Sequence, residues 1–269
     1  MEMLVVVKAY PVIDQKSKNE AVCIAGVSTE GPIRWIRLFP VDFRGLQEVQ
    51  KFSKYSVVRF EAKKATGDPR PETFTPDLSS ISIVRTLDAR GGSWSSRMDY
   101  LNPLEVESMC ALIRRQRSDR ASLGIFRPAE VLELQVRDQE ASFADSQLAL
   151  LSQPSLTGDR VGDLNRTPLE PMPVKAKYRY RCSEAGCKTH TQTVIDWEMG
   201  SLYRNLERQG ESSDQIHLKI RQKYLNQLCG PDRDTRFIAG TMLRHPASFL
   251  VLGVVAPVLS KQPQSESLF

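Results

Sequence analysis

The chain of 269 residues carries 37 Lys and Arg against 32 Asp and Glu, a formal net charge of +5, and is 41% hydrophobic and 26% charged. That length supports one large core or two small ones without disulfide staples, and no stretch approaches the roughly 20 apolar residues of a membrane helix, which excludes a helical membrane protein. The modest basic excess favours polyanionic partners, and 5 cysteines, odd in number and mostly scattered, fit a reducing compartment rather than a disulfide framework.

From Met1 the chain runs directly into an apolar, strand-like segment without the basic head and cleavage site of a secretory signal, so a cytoplasmic location is expected. Five short strands are predicted in the first third: Leu4 to Tyr10, Ala21 to Ser28, Ile33 to Phe39, Tyr55 to Ala62 and Ser80 to Leu87. Gly31-Pro32, Phe39-Pro40 and the segment Asp68-Pro69-Arg70-Pro71-Glu72 supply the turns between them, a pattern that fits a small barrel over 1–90.

A helical and extended connecting region is expected over 91–153. Asn102 can cap a helix with Pro103 at its first position and Leu104, Met109, Leu112 and Ile113 on one face, ending near Arg117; Ser122 to Arg137 reads as extended and Glu140 to Ser152 as a short helix. Gln153 to Pro173 is rich in Pro, Gly, Asp and Thr and marks a loop or hinge. A second β-rich domain, 154–260, is predicted with strands at Val174 to Arg181 and Thr191 to Asp196. Helices follow from Trp197 and over Ser213 to Leu228, then strands at Thr235 to Thr241 and Ser248 to Val255. The tail 261–269 is polar and expected to be disordered. The fold class expected is therefore mixed α and β (α+β): an OB-like barrel, a helical middle and a β-rich unit with a Cys/His knuckle and two helices.

The sharpest local signal is that knuckle. Cys182, Cys187 and His190 fall within nine residues at C-x4-C-x2-H spacing, and Gly186 lets the turn bring the sulfurs around an ion. Two thiolates and an imidazole suit a structural zinc. Cys229, at a helix end before Gly230-Pro231, is the most economical fourth ligand, with Asp196, Glu198, His217 or water as alternatives.

Before the knuckle stand Lys175, Lys177, Arg179 and Arg181, separated by Ala176, Tyr178 and Tyr180. On a strand this places four cations on one face, a like-charge row better explained by a bound polyanion than by stability, although an edge strand guarded by charge would read the same way. A second basic group, Arg34, Trp35, Arg37 and Arg44, places a ring that could stack on bases beside arginines, and with it a single strand is the favoured form of nucleic acid, DNA or RNA. A packed core position is the competing reading for Trp35.

Two acidic elements would suggest a metal-dependent nuclease, Asp196 with Glu198 directly after the knuckle and Asp68 with Glu72 in the proline-bracketed loop, and Asp196 equally suits a helix cap. No phosphate-binding P-loop, HExxH helix or GxSxG elbow is present, so a non-enzymatic protein is expected, with a protein-protein adaptor as a further alternative. Leu4 to Pro40, through Ala21-Val-Cys-Ile-Ala-Gly26 and Arg34-Trp-Ile-Arg37, resembles the start of the dual OB-fold-containing domains of bacterial conflict and phage-defence systems. The whole chain is similar to a family of uncharacterised bacterial proteins through Asp68-Pro-Arg-Pro-Glu72, the knuckle running into Asp196-Trp-Glu198, and Phe237-Ile-Ala-Gly-Thr241. The first resemblance implies OB-like barrels that bind nucleic acid and a place among the proteins of a defence complex.

Overall fold

The structure, a computed structural model, describes residues 1–14, 19–89, 94–139 and 169–259. The short helix expected at Glu140 to Ser152, most of the expected hinge and the tail 261–269 lie outside them. The fold is mixed α+β in three layers: a curled N-terminal sheet, a second sheet behind it, and most of the helices on the far side.

The first sheet comprises β1 (Glu2–Lys8), β2 (Val12–Asp14), β3 (Asn19–Ser28), β4 (Trp35–Val41), β5 (Ser56–Arg59), β6 (Ala62–Lys64), β7 (Thr73–Pro76) and β8 (Ser82–Thr86). Their order is β6-β7-β4-β3-β1-β5-β8, with β2 paired to β3. The apolar run of β1 is buried on both faces. Met3 and Val5 enter a core with Ile24, Ile36, Phe43, Phe52 and Phe60 inside the curl, while Leu4, Val6 and Val7 face the second sheet. A register shift between Val5 and Val7 against β3 is what lets two successive valines point the same way.

The second sheet has the order β10-β11-β12-β14-β13-β9, from β9 (Leu123–Phe126), β10 (Pro128–Asp138), β11 (Val174–Cys182), β12 (His190–Val194), β13 (Arg236–Met242) and β14 (His245–Val255). Thus strands from the stretch expected as a connecting region are built into this sheet, and β11 is an interior strand, antiparallel to β10 on one side and β12 on the other. Four helices complete the described chain: α1 (Ser95–Leu101), α2 (Met109–Asp119), α3 (Trp197–Arg208) and α4 (Ser213–Arg221), the last running into a wider turn over Gln222–Gln227. The helical middle is thus small. Among the described residues no helix is long and apolar enough to cross a membrane.

The faces of the second sheet decide where a site can lie. One face is covered along its length by helices: Tyr178, Tyr180, Val194, Phe237 and Val251 pack with Met109, Leu112, Met199, Tyr203, Ile216 and Ile220. On the opposite face, Leu123, Ile125, Ile238 and Leu252 of β9, β13 and β14 pack against Leu4, Val6, Val27 and Val57 of the first sheet and against Met98 and Leu101 of α1. The same face of β10, β11 and β12 carries polar and charged side chains instead, and β11 alternates buried and solvent-facing residues throughout. The N-terminal sheet therefore covers one half of this face, and the other half presents the cations.

Charged contacts close the junction. Arg37, 1% exposed, donates to Ser122 Oγ at 2.6 Å and to the Ser122 carbonyl at 3.1 Å, with Glu72 beside it at 3.9 Å. Arg70 is held by Asp68 at 2.6 Å and donates to the Thr241 carbonyl of β13 at 2.7 Å. The Asp68-Pro-Arg-Pro-Glu72 segment is thus a polar clasp between the sheets.

Candidate functional site

Cys182 closes β11 and His190 opens β12, so strand pairing alone brings them together across the hairpin; Tyr180 and His190 are direct partners. Between them Gly186 adopts φ +79°, a conformation costly for any residue with a Cβ, and the Cys187 N–H donates to the Glu184 carbonyl at 3.1 Å. The fourth member is Cys110. It lies in the first turn of α2, whose N-cap Ser108 accepts from the Ala111 N–H at 2.9 Å, where the helix dipole favours a thiolate.

The donor atoms of Cys110, Cys182, Cys187 and His190 all lie within 4.8 Å of one another. Cys182 Sγ is 3.7 Å from Cys110 Sγ, and His190 Nε2 is 3.5 Å from Cys110 Sγ and 3.2 Å from Cys187 Sγ. Ligand bonds of about 2.3 Å to sulfur and about 2.0 Å to nitrogen put tetrahedral neighbours roughly 3.5–3.8 Å apart, so this set can hold a metal ion with little movement. Burial pushes the Cys110 thiol up to about 12. At Cys182 burial is outweighed by backbone hydrogen bonds from Glu184 and Cys110 and by the His190 and Cys187 side chains, which draw it down to about 6. Three thiolates this close repel one another unless a cation lies between them.

Outer contacts fix the geometry. Glu184 accepts from Ser108 Oγ at 3.0 Å and from the Arg114 guanidinium, and Ser183 Oγ donates to the Glu107 carbonyl at 2.8 Å. The hairpin and α2 are therefore bound together even outside the ligand atoms, the arrangement expected around a structural ion.

Cys229 is not in this set. Its thiol donates to the Tyr224 carbonyl at 3.3 Å, and burial pushes it up to about 12. The expectation of Cys229 as fourth ligand fails because the chain following α4 packs it into the helix side of the core, whereas Cys110, 72 residues before Cys182, is carried to the hairpin by α2. The sequence-based expectation starts this helix at Asn102; Ser108 as its N-cap, beside Cys110, is a local signal that could have found the fourth ligand.

The two basic groups part company. Lys175, Arg179 and Arg181 are exposed and Lys177 half-buried on the open face of β11. Across the strands Lys175 faces Arg137, Lys177 faces Gln135 and Thr193, and Arg179 faces Glu133 and Thr191. Arg181 pairs with Glu130 at 2.8 Å. Among the described residues no ion pair is formed by Arg137, Lys175, Lys177 or Arg179. The edge-strand explanation for this row does not apply, since β11 is paired on both sides.

In the N-terminal group, Arg34 is exposed, Trp35 is half-buried against the core shared by the two sheets, and Arg44 lies 3.6 Å from Glu20. Arg37 cannot meet a nucleic acid, because the face that alternation gave to Trp35 and Arg37 is the interior between the sheets. The expected group is thereby dispersed, and only Arg34 remains fully on the surface.

Asp196 and Glu198 do come together, but around a lysine. Lys54 Nζ sits 2.9 Å from both Asp196 oxygens and 3.1 Å from Glu198, and Asp196 also accepts from the Glu198 N–H as the N-cap of α3. Burial raises the Asp196 pKa against the pull of Lys54; on Lys54 burial is outweighed by the two carboxylates, which raise its pKa. Lys54 thus occupies the place a divalent cation would need. Lys8 lies nearby, its amine 4.0 Å from the Phe43 ring centroid and 5.0 Å from that of Trp197. Sequence reasoning missed both lysines because their partners at the start of α3 lie more than 140 residues away in the chain.

A family model described as a domain of unknown function, DUF8757, matches residues 105–269, and another described in the same words, DUF8758, matches residues 1–103. The first spans more than half of the chain, and the chain belongs to that family. All four ligand atoms and the basic row fall inside its span. No curated protein matches the chain significantly.

Proposed function

We propose that the chain is a nucleic-acid-binding subunit whose phosphate contacts come from the open face of β10–β12, with a structural zinc holding the sheet end that carries them. The observation that carries this reading is the row Lys175, Lys177 and Arg179 on a strand paired on both sides, with Arg137 opposite on β10, four cations that form no ion pair among the described residues. Holding like charges side by side on a rigid strand costs stability, and a polyanion removes that cost. The curled N-terminal sheet fits an OB-like half-barrel, which supports the same class of partner.

Zinc suits the Cys3His set better than a hard cation, because thiolate and imidazole ligands at tetrahedral spacing are its ordinary structural site. It would be bound by Cys110, Cys182, Cys187 and His190 and would join α2 to the β11–β12 hairpin. This reading assigns no catalytic residue and places the protein in the cytoplasm.

The test compares wild-type protein with the variant carrying Arg137→Gln, Lys175→Gln, Lys177→Gln and Arg179→Gln, titrated with labelled nucleic acid. A loss of about tenfold or more in affinity, with circular dichroism and metal content unchanged, is expected. Equal affinity in the two proteins would sink the assignment of this face.

A further inference from the structure

We infer that the partner of this face is a double-stranded nucleic acid, gripped through its backbone rather than read through its bases. The inference rests on the nucleic-acid reading above. It reverses the expectation of a single strand, which depended on an exposed aromatic platform.

Alternate residues on a strand lie about 6.7 Å apart, so Lys175 to Arg181 form a straight row of charge roughly 20 Å long. The strand is interior, paired with β10 and β12, and cannot bend to follow a flexible chain. The side chains beside the row are Gln135, Thr191 and Thr193, an amide and two hydroxyls able to hydrogen-bond phosphate and sugar oxygens.

No aromatic side chain stands on this face among the described residues. The tyrosines of β11 point the other way: Tyr178 and Tyr180 are both 0% exposed, their hydroxyls donating to the Tyr224 carbonyl and to Gln192 Oε1, each at 2.6 Å. Trp35, away from this face, is half-buried against the core between the sheets. A single strand depends on such rings to stack its bases, whereas a duplex stacks its own and asks only for cations. Each cation also gains more from a duplex, since the salt exponent is about 0.9 per phosphate contact on a duplex against about 0.7 on a single strand.

Position sharpens the fit. Glu130 and Glu133 stand on β10 near Arg181 and Arg179, so a phosphate track is repelled from the outer strand at that end and lies over β11 and β12. Arg137, also on β10 but opposite Lys175, widens the cationic region at the other end.

The deciding experiment is fluorescence anisotropy on the full chain with DNA and RNA duplexes of about 20 base pairs, long enough to overlie the row, and with each of their single strands. Wild type and the variant Arg137→Gln, Lys175→Gln, Lys177→Gln, Arg179→Gln are compared. Binding of a DNA or RNA duplex at least about tenfold tighter than its own strands, with that preference lost in the variant, is the expected result. Single strands bound as tightly or more tightly through the same four residues would overturn the duplex inference and leave the nucleic-acid reading standing. No binding to any of the four classes of probe would overturn both.

Discussion

Two regions of the molecule hold the same residue types under opposite rules. Between the sheets, Lys54, Arg37 and Arg70 are buried, and each is matched by carboxylates or carbonyls. On the open half of the second sheet, Arg137, Lys175 and Arg179 are exposed and Lys177 is half-buried, and among the described residues none of the four forms an ion pair. The difference separates structure from function: a buried cation must be compensated within the fold, whereas an exposed row left uncompensated awaits a partner from outside.

The sharpest way to break that contrast is to remove one buried partner. Lys54→Met should cost about 3–5 kcal/mol, because it leaves the Asp196 carboxylate, 2% exposed, without its counter-ion. The measurement is the denaturant midpoint, and a loss below about 1 kcal/mol would show that Asp196 is not held by this pair.

Next in size is the metal centre. Cys110→Ser should lower zinc affinity at least about 100-fold, whereas Cys229→Ser should leave it unchanged, measured by competition with a chromogenic chelator. Equal losses in both would return Cys229 to the ligand set. Glu184→Ala, which frees Ser108 and Arg114, should give an intermediate loss of about 10–100-fold.

A smaller effect comes from Lys8, whose ammonium is disfavoured by burial despite Glu198 and is drawn down to about 8. Between that value and about 10.4, the ordinary lysine pKa, the unfolded chain binds more protons than the folded one, so this residue makes stability rise with pH across the window. Lys8→Met should flatten that rise and stabilise the protein at neutral pH; an unchanged pH profile would show that Lys8 is well solvated. Smallest of all, neutralising the open row should raise folding stability slightly, by no more than about 0.5 kcal/mol, because it removes the repulsion between exposed like charges.

Much of the fold was legible in the sequence. Alternation in Val174 to Arg181 gave the right face to every residue of β11, and the continuous apolar run ending in Val255 marked a strand buried on both faces. The helix expected from Asn102 was not legible. Pro103 sits in a tight turn over Asn102–Leu104, the Val106 N–H pairs with the Ile125 carbonyl, and a separate helix begins after Ser108. Here a tertiary strand contact overrides the local helix pattern.

The site was half legible. Cys182, Cys187 and His190 declared themselves by spacing, whereas Cys110 has no local partner and depends on α2 docking. Arg37 was misassigned because alternation tells which residues share a face and not whether that face meets water or a second sheet.

The most direct test of the central claim is the salt dependence of binding by the open face. With four cations engaged on a duplex, the logarithm of affinity should fall with the logarithm of salt concentration with a slope of about −3.6, and the variant neutralised at Arg137, Lys175, Lys177 and Arg179 should lose nearly all of that slope. A variant whose slope matches the wild type would contradict the account and place the nucleic-acid contact, if any, elsewhere on the molecule.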